Sequence, residues 1–285
     1  MRIGQNPLRE SKVTPPSPVQ FCVVTHLPNT ESYHEYRLDV IKLCLMSMRK
    51  HCGIDGFEVM VFDNGSCDAL IEWLINKYKP NTLILSKNIG KTAARTSAIR
   101  MVNPKSVVCY SDDDIYYGRD WFIPQLSLLQ SFPNTMLVTG YAIRQMFRWG
   151  TENTLKWCRE NARVESGKFI PEAWCDDYAI SIGRSPERNR EMTVNDNDYR
   201  VTYNGVVAYA TGHHCQFIGY ASRLIGIAGY DGDAMGDEAK FDIAADQHGL
   251  RLATTERLTR HIGNQIDESV YNQAKEEGMF GESES

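Results

Sequence analysis

Between residues 19 and 135, short β-branched apolar runs alternate with segments whose apolar residues recur at helical spacing, and few folds accept that order. The run 19–25 reads as a buried first strand. Leu38, Ile41, Leu45 and Met48 then mark a helix closed by His51 and Gly53. A second strand at 57–62 leads through the turn Asp63-Asn64-Gly65-Ser66 into a helix carrying Leu70, Ile71, Leu74 and Tyr78. A strand at 82–85, a helix at 91–102, a strand at 106–111, a helix at about 118–132 and a strand at 135–141 complete the series. Such alternation predicts an α/β fold, a mostly parallel sheet flanked by helices. Ligands of such sheets sit beyond the carboxyl ends of the strands, at a topological switch point. Thr25, Asp63, Asn88 and the triplet Asp112-Asp113-Asp114 all fall just past predicted strand ends.

The 285 residues divide into a Pro-rich flexible leader (1–18), a ligand-binding half (19–135), a second half of the same domain (136–266), and a C-terminal helix with a mobile tail (267–285). The leader has no apolar stretch, so it does not read as a signal peptide, and no run of about twenty apolar residues suggests an integral membrane segment. Eight cysteines without a CxxC pair favour a reducing, cytoplasmic setting over a disulfide framework, and they lack zinc spacing. A net charge of −5 gives no global attraction to nucleic acid. Residues 142–200, with Trp149, Trp157 and Trp174, read as an irregular insertion, a binding loop or lid. A strand at 201–209, a helix at 237–248 ended by Gly249, a strand at 250–254 and a loop at 260–264 follow.

Three adjacent aspartates at a strand end are either a solvated acidic turn or a metal claw. If the strand continues, Asp112 and Asp114 share a face and Asp113 points elsewhere. Two convergent carboxylates suit a hard divalent cation that shares its ligands with substrate phosphates. His213-His214-Cys215 is a weaker candidate, because adjacent strand residues face opposite ways.

The opening strand ending in Thr25, the turn after Phe62, Asn88-Ile89-Gly90-Lys91 with Ala94-Arg95, and the Asp triplet occur in an order that resembles the family 2 glycosyltransferases of GT-A fold. The resemblance spans about 19–135, and more loosely 231–264. It implies transfer of a sugar from a nucleotide-diphosphate sugar, UDP-sugars favoured, to an acceptor hydroxyl, with inversion. Asp63 would accept from a nucleobase N–H, although an Asx-turn also explains it. Thr25, Asn88 and Gly90 would line the nucleotide, and Lys91 and Arg95 would face the diphosphate from a helix N-terminus. Asp112, with Asp113 beside it, would contact ribose or sugar, while Asp114 and His261 would hold Mn2+ or Mg2+ in a DxD motif. Asp237-Glu238 reverses the acidic pair of the family; Glu238 occupies the position of the general base, and Asp237 also suits a helix cap. A nucleotidyltransferase and a non-catalytic nucleotide-sugar-binding protein are the alternative readings. The acceptor is open: a glycan, a lipid-linked sugar, a protein or a modified DNA base.

Overall fold

The computed structural model describes Gly4 and residues 14–227 and 238–280, so Asp237, most of the leader and the last residues of the tail lie outside the described residues. The first half alternates as the sequence predicts. It runs through β1 (Val19–Thr25), α1 (Arg37–Lys50), β2 (Glu58–Asn64), α2 (Asp68–Trp73), β3 (Thr82–Ser86), α3 (Lys91–Met101), β4 (Val107–Asp112), β5 (Ile115–Tyr117), α4 (Phe122–Ser131) and β6 (Thr135–Thr139). The second half adds α5 (Glu152–Asn161), β7 (Arg163–Gly167), α6 (Glu172–Ser181), α7 (Pro186–Thr193), β8 (Asp198–Tyr203), β9 (Val206–Tyr209) and β10 (Gln216–Tyr220). After these come α8 (Ala221–Ile227), α9 (Glu238–His248), β11 (Leu250–Ala253), β12 (Thr259–His261) and α10 (Glu268–Glu276).

Ten strands form one mixed sheet in the order β3-β2-β1-β4-β10-β6-β11-β9-β8-β7. The chain steps outward from β1 to β2 to β3, then returns to lay β4 on the other side of β1, all in parallel. The switch point therefore lies between β1 and β4, where Val24 pairs in register with Asp112. Strand alternation divides the core in two. Phe21, Val23, Val59 and Val61 face α1, α2 and α4 through Ile41, Leu45, Leu70 and Phe122, while Cys22, Val24, Met60 and Phe62 face α3, α8 and α9 through Ala94, Ile99, Leu224 and Phe241. Fully burying one such aliphatic side chain stabilises the fold by about 1.5–3 kcal/mol, so both helical layers are strongly held.

The expectation of an irregular insertion at 142–200 does not hold: the segment folds into a 3-10 turn, three short helices and two strands that extend the sheet. Its order comes from side-chain caps and buried ion pairs, which leave no apolar period to read. Ser185 caps α7 with Pro186 in its first turn, and Asp246 accepts from the N–H groups of Asn153 and Thr154 at the start of α5. Arg144, almost wholly buried, is paired with Asp198 and Glu172. The tryptophans are not gathered at a site: Trp157 packs against Tyr203, Trp174 lies near Arg257, and Trp149 is exposed.

Candidate active site

Strand β4 ends at Asp112, and Asp113 and Asp114 form the turn into β5. Alternation therefore stops at Asp112, and the three carboxylates take three different sets of partners. Asp112 Oδ1 accepts from Tyr110 Oη at 2.8 Å, and its Oδ2 lies 2.9 Å from Lys91 Nζ. Burial pushes this carboxyl up, but the Lys91 ammonium outweighs it and holds the group well below the usual carboxylate range. Asp113 accepts from the His26 N–H at 3.1 Å and from Arg37 Nη2, and burial together with neighbouring Asp114 raises its pKa against the pull of Arg37. Asp114 Oδ2 lies 3.4 Å from Arg37 Nη1 and 3.5 Å from His261 Nε2.

The approach of His261 follows from sheet register. Strands β5 and β12 pair antiparallel with Ile115 opposite His261, and the Ile262 N–H donates to Asp114 O at 2.9 Å. The Ser181 hydroxyl bonds His261 Nδ1 at 2.8 Å, which leaves Nε2 facing the carboxylate. Asp114 Oδ1 is buried with no hydrogen-bond partner among the described residues. A buried carboxylate oxygen without a donor is costly, and a hard cation satisfies it. The residues present thus fit a divalent ion held by Asp114 and His261.

The opposite wall comes from the turn after β2 and the start of α3. Asn64 uses both ends of its amide, donating to Asn88 Oδ1 and accepting from the Ile89 N–H, while Asn88 Oδ1 also accepts from the Gly90 N–H. Gly65 is required here: its φ is +84°, and a Cβ would come within 2.6 Å of Asn88 N. Gly90, φ +85°, caps α3 and delivers Lys91 as the first helical residue. Lys91 Nζ also lies 3.6 Å from Glu238 Oε1, so one ammonium bridges β4 and the first turn of α9. Burial would lower the Lys91 pKa, yet Asp112 overcomes it and holds the group charged.

Asn88, Gly90, Lys91, Asp112, Asp113, Asp114 and Glu238 line one cavity of about 450 Å3. Four other expected residues do not: His261 lines a neighbouring cavity with Ser181 and Asn264, and the other three are buried. Thr25 and Asp63 are buried below the edge, where Thr25 Oγ1 donates to Asp63 Oδ1 at 3.1 Å and Asp63 Oδ2 accepts from the Gly65 and Ser66 N–H groups. Asp63 is thus the turn-former, and its neighbour Asn64 reaches the cavity. Arg95 is also buried, its guanidinium 4.4 Å from the Phe241 ring centroid, because the α3 face four residues on from Lys91 turns into the second core. Asp237 lies outside the described residues, so the choice within the acidic pair rests on Glu238 alone.

Sequence reasoning missed Arg37, His26 and Asn64. Arg37 had a signal, as a lone cation in the first turn of a helix that buries mostly apolar residues. It also missed the turn at His213-His214-Cys215, which was discounted on strand geometry. These residues precede β10, and their ligating atoms lie within 4.8 Å of one another. His213 Nδ1 accepts from the Cys215 N–H and His214 Nδ1 is 2.7 Å from Asp242 Oδ2, while burial, followed by Asp112, keeps the Cys215 thiol protonated.

The loop after β1 also bears on the alternative readings. The His26 N–H goes to Asp113 and the Leu27 N–H to Ser66 Oγ, so these amides are not offered to a triphosphate.

No curated protein sequence matches the chain. Among solved structures, the mannosyltransferase PcManGT from Pyrobaculum calidifontis, in complex with GDP-Man and Mn2+, is similar at 14% identity and a TM-score of 0.47, over 87% of this chain and 59% of its own. S. aureus TarS 1-349 is similar at 12% identity and a TM-score of 0.46, over 86% of this chain and 60% of its own. GalNAc-T7 with UDP, GalNAc and Mn2+ is similar at 14% identity and a TM-score of 0.47, over 83% of this chain and 42% of its own. The chain thus spans from about two fifths to three fifths of the length of these proteins. The profile of glycosyl transferase family 2 matches residues 32–198, more than half of the sequence, and the chain belongs to that family.

Proposed function

We propose that this protein is an inverting, metal-dependent glycosyltransferase that moves a sugar from a nucleotide-diphosphate sugar to an acceptor hydroxyl. The observation that carries the reading is the company of Asp114. Its Oδ1 is buried with no partner among the described residues, its Oδ2 lies 3.5 Å from His261 Nε2, and Asp114 shares one crevice with Lys91 and Glu238, at the switch point where an α/β sheet takes a nucleotide. When bound by Asp114 and His261, Mn2+ or Mg2+ offsets the charge that gathers on the departing diphosphate.

The remaining work falls to the side chains. Lys91, already charged between two carboxylates, is the cation closest to a diphosphate entering over the α3 N-terminus. Asp112 accepts from a ribose or sugar hydroxyl, and the Asn64–Asn88 pair forms the nucleoside wall. Arg37 ties Asp113 and Asp114 to α1, which sets the carboxylates in place before the donor arrives. Glu238, at the first turn of α9, takes the proton of the acceptor hydroxyl as it attacks from the side opposite the leaving group. That geometry inverts the anomeric centre.

The acceptor is a hydroxyl compound other than DNA. The charges of 142–200 are largely spent on one another, as in Arg144 with Asp198, Arg190 with Asp176 and Arg200 with Glu165, and the net charge of −5 gives no attraction to phosphate polymers. Eight free cysteines, seven of them buried, suit the reducing cytoplasm. Among the described residues no helix is long and apolar enough to cross a membrane.

Incubation with Mn2+ and a panel of uridine and guanosine diphosphate sugars, with a uridine diphosphate sugar as the leading donor, tests the proposal by NMR. Expected are release of the nucleoside diphosphate, a product of inverted anomeric configuration, and loss of both on chelation or in Asp114→Ala. Absence of binding to every nucleotide sugar overturns it. Binding without turnover in any acceptor mixture, unchanged in Glu238→Gln, supports the non-catalytic alternative.

A further inference from the structure

The turn before β10 brings two imidazoles beside the end of β4, next to the cavity that Asp112 and Glu238 line. Asp112 donates its N–H to Cys215 O at 2.7 Å, which fixes the turn against the end of β4. On its other side stands α9, whose Asp242, one helical turn after Glu238, lies 2.7 Å from His214 Nδ1. Asp242 is itself held by Arg251, which is buried and 2.8 Å away. His214 is therefore wedged between the strand that carries Asp112 and the helix that carries Glu238. The group that must occupy the space between the diphosphate side and the base is the transferred sugar.

The hydrogen bonds also set the tautomers. Asp242 can only accept from Nδ1–H of His214, so in the neutral ring Nε2 is an acceptor with no partner among the described residues. His213 is the reverse: its Nδ1 accepts from the Cys215 N–H at 3.2 Å, so its Nε2 bears the proton. The rings stack with centroids 4.1 Å apart. Burial holds His213 neutral, well below the usual histidine range. One acceptor and one donor therefore stand side by side beside Asp112.

We propose that His213 and His214 form the recognition surface for the transferred sugar, with Asp242 as the positioning residue that fixes the His214 ring, and that the ligand is a pair of neighbouring sugar hydroxyls, one donating to His214 Nε2 and one accepting from His213 Nε2. This inference rests on the proposed function and names which side chains of that site read the sugar rather than the nucleotide.

Calorimetric titration separates the two. Wild type, His214→Ala and His214→Gln are titrated with UDP, GDP, UDP-glucose and GDP-mannose in the presence of Mn2+. The expected result is a nucleoside diphosphate Kd within twofold of wild type in His214→Ala, with the Kd of the bound nucleotide sugar raised about tenfold, as for one lost hydrogen bond to a neutral partner. His214→Gln, which restores an amide near the Nε2 position, recovers part of the loss and stands in if the alanine variant fails to fold. A merely structural role moves the diphosphate and the nucleotide sugar together, and either that result or no change in the sugar step overturns the inference. Failure of wild type to bind any nucleotide sugar overturns the proposed function, and this inference with it.

Discussion

At the scale of single residues, the site depends on a few side chains whose partners explain what each can do. Glu238 is a proton acceptor by position only if its carboxylate, not just its hydrogen bonding, matters. In Glu238→Gln we expect turnover to fall by about 10²–10⁴ with donor Kd nearly unchanged, measured by steady-state kinetics beside calorimetry. Asp114→Ala should act differently, weakening Mn2+ affinity by about a hundredfold or more in a metal titration. Much of this was legible in the sequence, because Asp112, Asp114, Lys91 and Glu238 stand at strand and helix ends where an α/β edge collects ligands. What was not legible has a physical cause. Asp63 and Asn64 are adjacent at the end of β2, and only the fold decides that the first serves backbone N–H groups while the second faces the cavity. Likewise Arg95 shares a helix with Lys91, yet core packing against Phe241 claims it.

At the scale of elements, α9 joins the cavity edge at Glu238 to the sheet through a buried ion pair. Burial pushes the Asp242 carboxyl up, but Arg251 first and His214 next hold it well below the usual carboxylate range. Its folded pKa is therefore lower than its unfolded one of about 4, so the pair's contribution is fully present at neutral pH and is lost progressively as pH falls below about 4. Thermal melting followed from pH 7 downward should show that decline, and Asp242→Asn should flatten it while lowering neutral stability by about 3 kcal/mol, since Arg251 is left buried without its counter-charge. An equal acid slope in the variant shows that other carboxylates carry it. The pattern of α9 gave little warning, for Asp242 and Asp246 interrupt its apolar face at buried positions. The same holds across 142–200, where ion pairs and caps replace the periodicity that made 19–135 readable.

At the scale of the whole molecule, the site is an assembly of distant segments: Arg37, Lys91, Asp112 to Asp114, Glu238 and His261 meet only because the sheet brings β1, β4 and the β5–β12 pair to one edge. Such a site inherits the stability of its remotest support. For His261 that support is α10, whose Val270 and Ala274 pack with Val40 and Leu43 of α1, Tyr116 of β5 and Ile262, the residue after His261. This small cluster ties the strand that carries His261 to the helix that supplies Arg37. Val270→Ala, at a position almost wholly buried, should cost about 2 kcal/mol in denaturant unfolding through the lost methyl groups and the cavity they leave. Because Ile262 shares that cavity, the variant should also bind Mn2+ several-fold more weakly at temperatures where it is fully folded. Nucleoside diphosphate binding without metal, which depends on the Asn64, Asn88 and Lys91 wall on the far side of the cavity, should stay as in wild type. A loss of stability with metal affinity intact would mean that β12 is held by its pairing with β5 alone, and that His261 needs no help from the C-terminal helix.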